Sequence, residues 1–164
     1  MKIEIFDDFL PSYQFNQIQS VLMGDRFPWY YNDGIVWQGD GYQFKHTFYN
    51  RVRNVLSSPY LPIFDQCLSQ LNVKELWRIK ANCRPASLFK RFSYYHTDHF
   101  PCSRTAILYI NTCNGYTKFK KGGKVKSVAN RIVIFDSNMV HAGLTCSTLS
   151  NEQRRVVVNL NYTE

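Results

Sequence analysis

The feature that most constrains the fold is a series of five β-like segments that fills the chain from residue 75 onward. Each segment is rich in β-branched or aromatic residues, and turn residues separate it from the next. In order, they read ELWRIKANC, RTAILYIN, YTKFKKGGKVKS, NRIVIFDS and QRRVVVNLNY. No helix-length crossover separates the later segments, so we expect antiparallel pairing. The pattern predicts a sheet-on-sheet barrel or sandwich.

Two helical segments precede these strands, after a short strand at residues 3–6. In SYQFNQIQSVLMG, apolar residues recur at helical spacing, with Ser12 as the expected N-cap and Gly24 as the stop. SSPYLPIFDQCLSQLN predicts the second helix, with Pro62 in its first turn. The aromatic stretch between them, residues 26–44, reads as a loop. We therefore expect one domain over residues 1–164, with helical and loop support over 1–74 and the sheet core over 75–162.

Composition narrows the class of protein without identifying a partner. The net charge is +8, and five lysines fall in the nine residues from Lys118 to Lys126, around a Gly122-Gly123 turn that predicts a solvated hairpin. No apolar run approaches the roughly 20 residues of a membrane span. The five cysteines are odd in number and include no C-x-x-C pair, so we expect reduced thiols. A soluble, cytoplasmic protein with no membrane partner is expected.

The chain has only four histidines, and two of them lie in the stretch SYYHTDHF, residues 93–100. In an extended strand, residues i and i+2 face the same side, so His96 and Asp98 are expected to project together. The last histidine, His141, follows the strand NRIVIFD. Two histidines and one carboxylate on one face of Fe(II) form the facial triad of non-haem oxygenases. The sequence thus predicts a metal site made by His96, Asp98 and His141.

The series H-T-D, then His141, then RRVVVNLNY resembles the 2-oxoglutarate/Fe(II)-dependent dioxygenases, specifically their small prolyl-4-hydroxylase-like branch. The resemblance covers about residues 76–162, with a weaker likeness in IEIFDDFLPSYQFNQIQ at the N-terminus. It implies a double-stranded β-helix, or jelly roll, with iron between its two sheets and the two helices as outer support. It also implies that His96, Asp98 and His141 are the iron ligands, with Fe(II), O2 and the co-substrate 2-oxoglutarate as cofactors; ascorbate is a further candidate.

Two residues of the final strands match co-substrate positions in that family. The family's last strand begins with a basic residue that binds the distal carboxylate of 2-oxoglutarate, and both Arg154 and Arg155 stand there. Alternation groups Arg155 with the polar Asn159 and Asn161, which favours Arg155; a register shifted by one would select Arg154. Tyr109, in RTAILYIN, matches a tyrosine that contacts the same carboxylate in the family.

The sequence also departs from the family. Many relatives have a tyrosine that contacts the co-substrate at the position of Arg84, and many have a small or hydroxyl residue at the position of Val157. These departures affect co-substrate binding and leave the predicted iron ligands in place. The sequence does not decide whether Arg104 is a solvated strand start or reaches substrate. His99 is expected to be a surface loop residue.

The resemblance implies a dioxygenase that hydroxylates a C–H bond and releases succinate and CO2. A peptidyl proline is the first expected substrate, from the branch resemblance alone. One alternative is a nucleic-acid demethylase of the same superfamily, which the positive charge suggests. That branch usually has an asparagine where Val157 stands, so a nucleic acid is not favoured. A second alternative is a non-catalytic jelly-roll binding module that uses the lysine hairpin.

Overall fold

In the computed structural model, which describes residues 2–52, 57–98 and 103–164, ten strands, two α-helices and one 3-10 helix follow one another along the chain. The helices are α1 (Ser12–Met23), a 3-10 helix (Leu61–Phe64) and α2 (Asp65–Gln70). The strands are β1 (Ile3–Phe6), β2 (Tyr30–Asp33), β3 (Tyr42–Asn50), β4 (Glu75–Pro85), β5 (Arg104–Tyr109), β6 (Tyr116–Phe119), β7 (Lys124–Lys126), β8 (Ile132–Asp136), β9 (His141–Leu144) and β10 (Arg154–Thr163).

The strands form two antiparallel sheets, as the strand-rich sequence predicts. The large sheet has the order β1-β8-β5-β10-β4-β3-β2, and the small sheet has the order β7-β6-β9. The irregular segment 91–98 lies beside β9 and bridges to it at Phe92–Leu144 and His96–His141. This architecture confirms the predicted mainly β jelly roll with two helices.

The central strands of the large sheet are buried on both faces, and their successive side chains alternate between the two faces. Its outer face packs against the helices in an apolar core that includes Val156 and Val158 of β10 with Ile18 and Leu22 of α1. Its inner face meets the small sheet in a second core, where Ile107 and Tyr109 of β5 pack with Phe119 of β6. Because successive side chains point to opposite faces, the central strands β5, β8 and β10 each contribute to both cores.

Three details differ from the sequence prediction. Tyr30–Asp33 and the beginning of Tyr42–Asn50 lie in the stretch 26–44 that was expected as loop, and the two strands pair as a hairpin at the edge of the large sheet. β2 is largely exposed and lacks the alternation that marks a half-buried strand, so only its pairing with β3 reveals it. The second predicted helix is split into a 3-10 turn and the short α2. Ser12 is the first helical residue and makes no capping hydrogen bond, because Pro11 holds the N-cap position.

Other expectations about the chain agree with the structure. Gly122 and Gly123 adopt positive φ at the turn between β6 and β7, and the five hairpin lysines are exposed. Cys67, Cys83, Cys113 and Cys146 are free thiols, and all four are buried; Cys102 lies outside the described residues. Within the described ranges, no helix is both long and apolar enough to cross a bilayer.

Asn130 fixes the N-terminal segment to the large sheet. It is buried with φ of 60°, a left-handed conformation that asparagine tolerates better than most residues. Its side chain accepts a hydrogen bond from the Leu10 amide (3.0 Å) and donates one to the Leu10 carbonyl (2.7 Å). Asn130 therefore satisfies both backbone groups of the buried residue Leu10.

We expect Asn130→Ala to lower the free energy of unfolding by about 2–4 kcal/mol, because it leaves buried groups unpaired and adds strain at positive φ. Urea denaturation monitored by circular dichroism measures the change. Asn130→Gly removes the strain while still losing the hydrogen bonds, so it should fall between Ala and the wild type. Equal stability of the Ala variant and the wild type would contradict this role.

Candidate active site

A cavity of about 440 Å³ opens between the two sheets. One wall is the inner face of β4 and β10, and the opposite wall comes from the segment 93–98 with β6 and β9. Residues Ile35–Trp37 of the β2–β3 loop line its edge. His96, Asp98, His141 and Arg155, four of the five residues predicted from the sequence to form the site, line this one cavity.

His96 and His141 are brought together by backbone pairing. Each donates its amide N–H to the carbonyl of the other, at 3.0 and 2.9 Å, so they form a directly opposed antiparallel pair. Opposed residues of such a pair project to the same face, and the two imidazole centroids lie 4.6 Å apart. The sequence predicted that His96 and His141 belong to one site, and this backbone pairing is what brings them together.

The two imidazoles also have the same hydrogen-bonding pattern. Nδ1 of His96 lies 3.0 Å from the Tyr94 carbonyl, and Nδ1 of His141 lies 3.0 Å from the Met139 carbonyl. A carbonyl only accepts, so each Nδ1 carries a proton, and Nε2 is the atom of each ring that can supply a lone pair. Burial lowers the pKa of His141, which favours the neutral form of that ring. Histidines that bind metals typically donate their second N–H in this way.

Asp98 shares the cavity, but its carboxylate is held by protein donors. It accepts hydrogen bonds from Arg78 (3.1 Å), Thr105 (3.0 Å) and Asn161 (3.0 Å). Burial raises the pKa of Asp98, but the charge of Arg78 and the other favourable contacts outweigh it, and the net shift is downward. Asp98 is therefore a buried, ionised carboxylate.

The three predicted ligands do not form a closed metal cluster as they stand. Across residues 2–52, 57–98 and 103–164, no three His, Cys, Asp or Glu side chains converge closely enough to hold a metal ion. The two imidazole centroids lie 4.6 Å apart, whereas the Asp98 carboxylate is hydrogen-bonded to Arg78, Thr105 and Asn161. The donor types of the three residues fit Fe(II).

Arg155 lines the cavity wall and is buried. Its Nε donates to Ser127 Oγ (2.8 Å), and its Nη2 donates to Thr117 Oγ1 (2.9 Å). Tyr109 lies behind this wall: its hydroxyl donates to the same Thr117 oxygen (2.8 Å), and its ring packs 5.5 Å from the guanidinium. Tyr109 thus contacts the residues that position Arg155 and does not itself line the cavity.

Arg154 lies on the other face of β10. It donates from Nη2 to the Met23 carbonyl (2.7 Å) at the end of α1. The two adjacent arginines therefore point to opposite sides of the large sheet, as strand alternation predicts, and only Arg155 faces the cavity.

Arg84 is a second buried arginine at the same end of the cavity. It donates to the carbonyls of Gly143 (3.1 Å) and Arg91 (3.3 Å), whereas its buried Nε has no hydrogen-bond partner among the described residues. A Cβ on Gly143 would lie 3.5 Å from Arg155 Nη1 and 3.8 Å from Arg84 Nη1. Burial and the charge of Arg155 lower the pKa of Arg84 to about 10. Two cations thus share a region from which water is largely excluded.

Other sequence candidates lie away from the cavity. Arg104 forms ion pairs with Glu4, Asp136 and Glu164, which matches a strand-start role. His46 is buried, with its ring nitrogens 2.8 Å from the Pro28 carbonyl and Ser58 Oγ. His99 lies outside the described residues.

Among the aromatic residues of the stretch 26–44, one lines the cavity. Tyr30 and Tyr31 are exposed, and Trp29 is partly buried against the core. Trp37 is also exposed in large part, but it lines the cavity edge.

Sequence reasoning missed the polar inner face of β4. Arg78, Lys80, Asn82 and Arg84 all line the cavity, and they alternate with Ile79, Ala81 and Cys83 on the apolar face. The sequence ELWRIKANCRP alternates polar and apolar residues with a period of two, and this pattern could have predicted the polar face. Thr105, which binds Asp98, was also missed. Asn161 was grouped with Arg155 on the polar face of the last strand, but its hydrogen bond to Asp98 was not predicted, because the two residues are distant in the sequence.

The lowered pKa of His141 predicts a pH dependence of stability. Below its ordinary value of 6.5, the unfolded imidazole takes up a proton that the folded one resists. The unfolded state then binds more protons, so the free energy of unfolding should fall as pH drops from about 6.5 toward the lower folded pKa. Urea unfolding with a chelator at about pH 7 and about pH 5.5 measures this loss, and His141→Gln should show a smaller one. An unchanged difference in the variant would contradict the prediction.

Comparison with known proteins identifies the fold. No protein-family model matches the chain, and no curated protein matches it. Solved structures do match it. A 2OG-Fe(II) oxygenase family oxidoreductase from Burkholderia pseudomallei superposes with a TM-score of 0.72 and 10% identity, over 98% of this chain and 84% of that one.

Two prolyl hydroxylases give similar matches. A viral collagen prolyl hydroxylase from Paramecium Bursaria Chlorella virus-1, solved with 2OG, has a TM-score of 0.65 and 13% identity over 98% of this chain and 94% of that one. A prolyl hydroxylase from Trichoplax adhaerens, solved with a hypoxia inducible factor peptide fragment, has a TM-score of 0.61 and 16% identity over 98% and 83%. These matches confirm the structural likeness predicted from the sequence: the chain has the fold of the 2-oxoglutarate/Fe(II) oxygenases, prolyl hydroxylases among them.

Proposed function

We propose that this protein is an Fe(II)- and 2-oxoglutarate-dependent dioxygenase that hydroxylates a C–H bond of its substrate. The observation that carries the proposal is the placement of His96, His141, Asp98 and Arg155 in one cavity of an oxygenase fold. Two imidazoles and a carboxylate are the donor set that non-haem Fe(II) takes, with positions left open for other ligands. When bound, Fe(II), 2-oxoglutarate and O2 supply the oxidising chemistry, with succinate and CO2 as co-products.

The protein's own residues bind and orient these groups. Nε2 of His96 and of His141 would hold the metal, because each Nδ1–H is fixed on a carbonyl. Asp98 would supply the third donor. Arg78 would still neutralise the buried carboxylate in the absence of metal, which keeps it ionised and ready to bind.

Arg155 would bind the distal carboxylate of 2-oxoglutarate, with Tyr109 and Thr117 fixing its orientation. Arg84 would add a second guanidinium at the same end, where relatives have a tyrosine. A buried cation without an acidic partner is costly, and the described residues place no carboxylate within ion-pair distance of Arg84 or Arg155. An anionic ligand at this end of the cavity would compensate the charges of both guanidinium groups.

The substrate is a separate question, since the fold hosts several chemistries. A peptidyl proline remains the first candidate, supported by the prolyl hydroxylase neighbours, one of which is solved with a peptide. Nucleic-acid demethylation and a non-catalytic binding role rank lower. The buried polar cavity favours catalysis, and the hairpin lysines lie outside it.

The metal assignment predicts that the purified protein binds one Fe(II), or Mn(II) as a surrogate. His96→Ala, Asp98→Ala and His141→Ala should each remove most of the metal affinity, because each deletes one of three donors. Anaerobic calorimetric titration measures binding. Asp136→Asn, outside the cavity, is the matched control and should bind as the wild type does. Stoichiometric binding retained in all three alanine variants would overturn the assignment.

The three arginines should differ in their effect on 2-oxoglutarate. A charge-assisted bidentate contact of about 1.5–3 kcal/mol implies that Arg155→Ala weakens binding roughly 10- to 150-fold. Arg84→Ala should weaken it on the order of tenfold, and Arg154→Ala less than about threefold. Dissociation constants measured anaerobically with Mn(II) test the order. If Arg154→Ala is the most damaging, the distal carboxylate is not bound at Arg155.

A further inference from the structure

The small sheet has two faces, and its inner face lines the cavity. Segment 91–98 continues this sheet beyond β9, because the Ser93 amide donates a hydrogen bond to the Gly143 carbonyl (2.8 Å). The strand order is therefore β7, β6, β9 and segment 91–98. Four residues of these strands point inward and line the cavity: Ser93, Thr117, His141 and Gly143. The residues that alternate with them face outward.

Aromatic side chains lie on the outer face of the small sheet. Phe92 and Tyr116 pair with Leu144 from opposite sides, so the two flank it in one row across the sheet. Their ring centroids are 6.1 Å apart. Phe92 is 48% exposed, and Tyr94, on the same side of the segment, is 61% exposed. Large apolar side chains grouped at the surface indicate an interaction site.

Exposed lysines lie beside these rings. Lys118 is directly opposite Lys124, and Lys126 is opposite Tyr116. The Nζ atom of Lys118 lies 5.8 Å from the ring centroid of Phe92, and that of Lys124 lies 5.2 Å from the ring centroid of Tyr116. Such cation–π contacts orient an ammonium group without neutralising its charge. The resulting aromatic–lysine face consists of Phe92, Tyr94, Tyr116, Lys118, Lys124 and Lys126.

The lysines of this face form no ion pair with a carboxylate in the described part of the chain. The ion pairs of that part do not involve Lys118, Lys124 or Lys126. In the sequence, Asp98 is the only acidic residue in the range 76–135, and it lines the cavity on the inner side. Like charges directly opposite each other destabilise a strand pair. An anionic partner would relieve the repulsion between Lys118 and Lys124.

We propose that the aromatic–lysine face binds a single-stranded nucleic acid. The bases stack on the aromatic rings, and the phosphates contact the lysines beside them. A single strand supplies both groups at once, whereas a chain of acidic residues supplies charge without stacking groups. At about 4.8 Å between neighbouring strands, four strands span about 14 Å. A four-stranded sheet with exposed aromatic residues can hold two or three stacked bases.

This inference goes beyond the proposed function and does not depend on it. The aromatic–lysine face lies on the opposite side of the small sheet from His141 and the cavity. The nucleic acid is therefore a partner at the surface and not the molecule that is oxidised. Its binding should be insensitive to Mn(II) and 2-oxoglutarate.

Fluorescence anisotropy of labelled strands measures the binding. The full-chain protein is titrated at low salt with a strand of twelve thymidines and with one of twelve uridines, which distinguishes DNA from RNA. A peptide of twelve glutamates and vesicles of phosphatidylserine and phosphatidylcholine in equal parts are the anionic competitors. At least one strand should bind on the order of tenfold more tightly than the glutamate peptide, because only the strand can stack. The vesicles should not displace it.

Variants separate the contribution of stacking from that of charge. Phe92→Leu keeps an apolar side chain but removes the stacking surface, so it should weaken binding on the order of tenfold, whereas Phe92→Trp should retain it. Lys118→Gln and Lys124→Gln should each weaken binding and reduce the slope of log affinity against log salt by about 0.7. Lys74→Gln, exposed next to the start of β4 in the large sheet, is the matched control and should behave as wild type. Circular dichroism checks that every variant is folded.

Several results would overturn the inference. Neither strand binds the wild type, or the glutamate peptide or the vesicles bind as tightly as the strands do. Folded Phe92→Leu keeps wild-type affinity, or folded Lys118→Gln and Lys124→Gln keep the wild-type salt slope. If Mn(II) with 2-oxoglutarate weakens strand binding more than about threefold, the strand occupies the cavity and the inference is also wrong. Loss of metal or 2-oxoglutarate binding with intact strand binding would contradict the proposed function alone.

Discussion

The alternation of side chains along β4 and β10 is the constraint on which the rest of this structure depends. Both strands lie in the middle of the large sheet, so neither face can be solvated broadly. Val156 and Val158 on one face pack against the helices, and Arg155 and Asn159 on the other face a polar cavity. A shift of one residue in the pairing of either strand would place charges in the apolar core and valines in the cavity. Fold and site are therefore fixed by the same register.

The cavity contains two kinds of buried charged group. Some are paired within the protein, and others are left to be paired by ligands. Asp98 has a cation and two neutral donors, so it is stable as an anion inside the protein. Arg84 and Arg155 have hydrogen bonds to neutral oxygens but no carboxylate within ion-pair distance in the described chain. The paired carboxylate of Asp98 stabilises the protein without ligand. The cations Arg84 and Arg155 instead carry a desolvation cost in free energy that ligand binding removes.

Much of this could be predicted from the sequence, because short-range patterns carry it. The period of two in RRVVVNLNY separated Arg154 from Arg155, and Gly122-Gly123 marked the hairpin. What could not be predicted depends on contacts distant in sequence. Arg78 and Asn161 are 20 and 63 residues from Asp98, and no local pattern links them. The β2 edge strand was missed for the same reason: its exposed residues gain strand structure only from pairing with β3.

Thr117 influences the direction of hydrogen bonding at the end of the cavity where Arg84 and Arg155 lie. Its oxygen accepts from both Tyr109 and Arg155, which occupies its two lone pairs. The hydroxyl proton of Thr117 therefore has to point elsewhere, and Thr117 lines the cavity. The phenol buried behind the wall thus restricts the directions in which a hydroxyl on the cavity wall can donate its proton, although the phenol itself does not line the cavity.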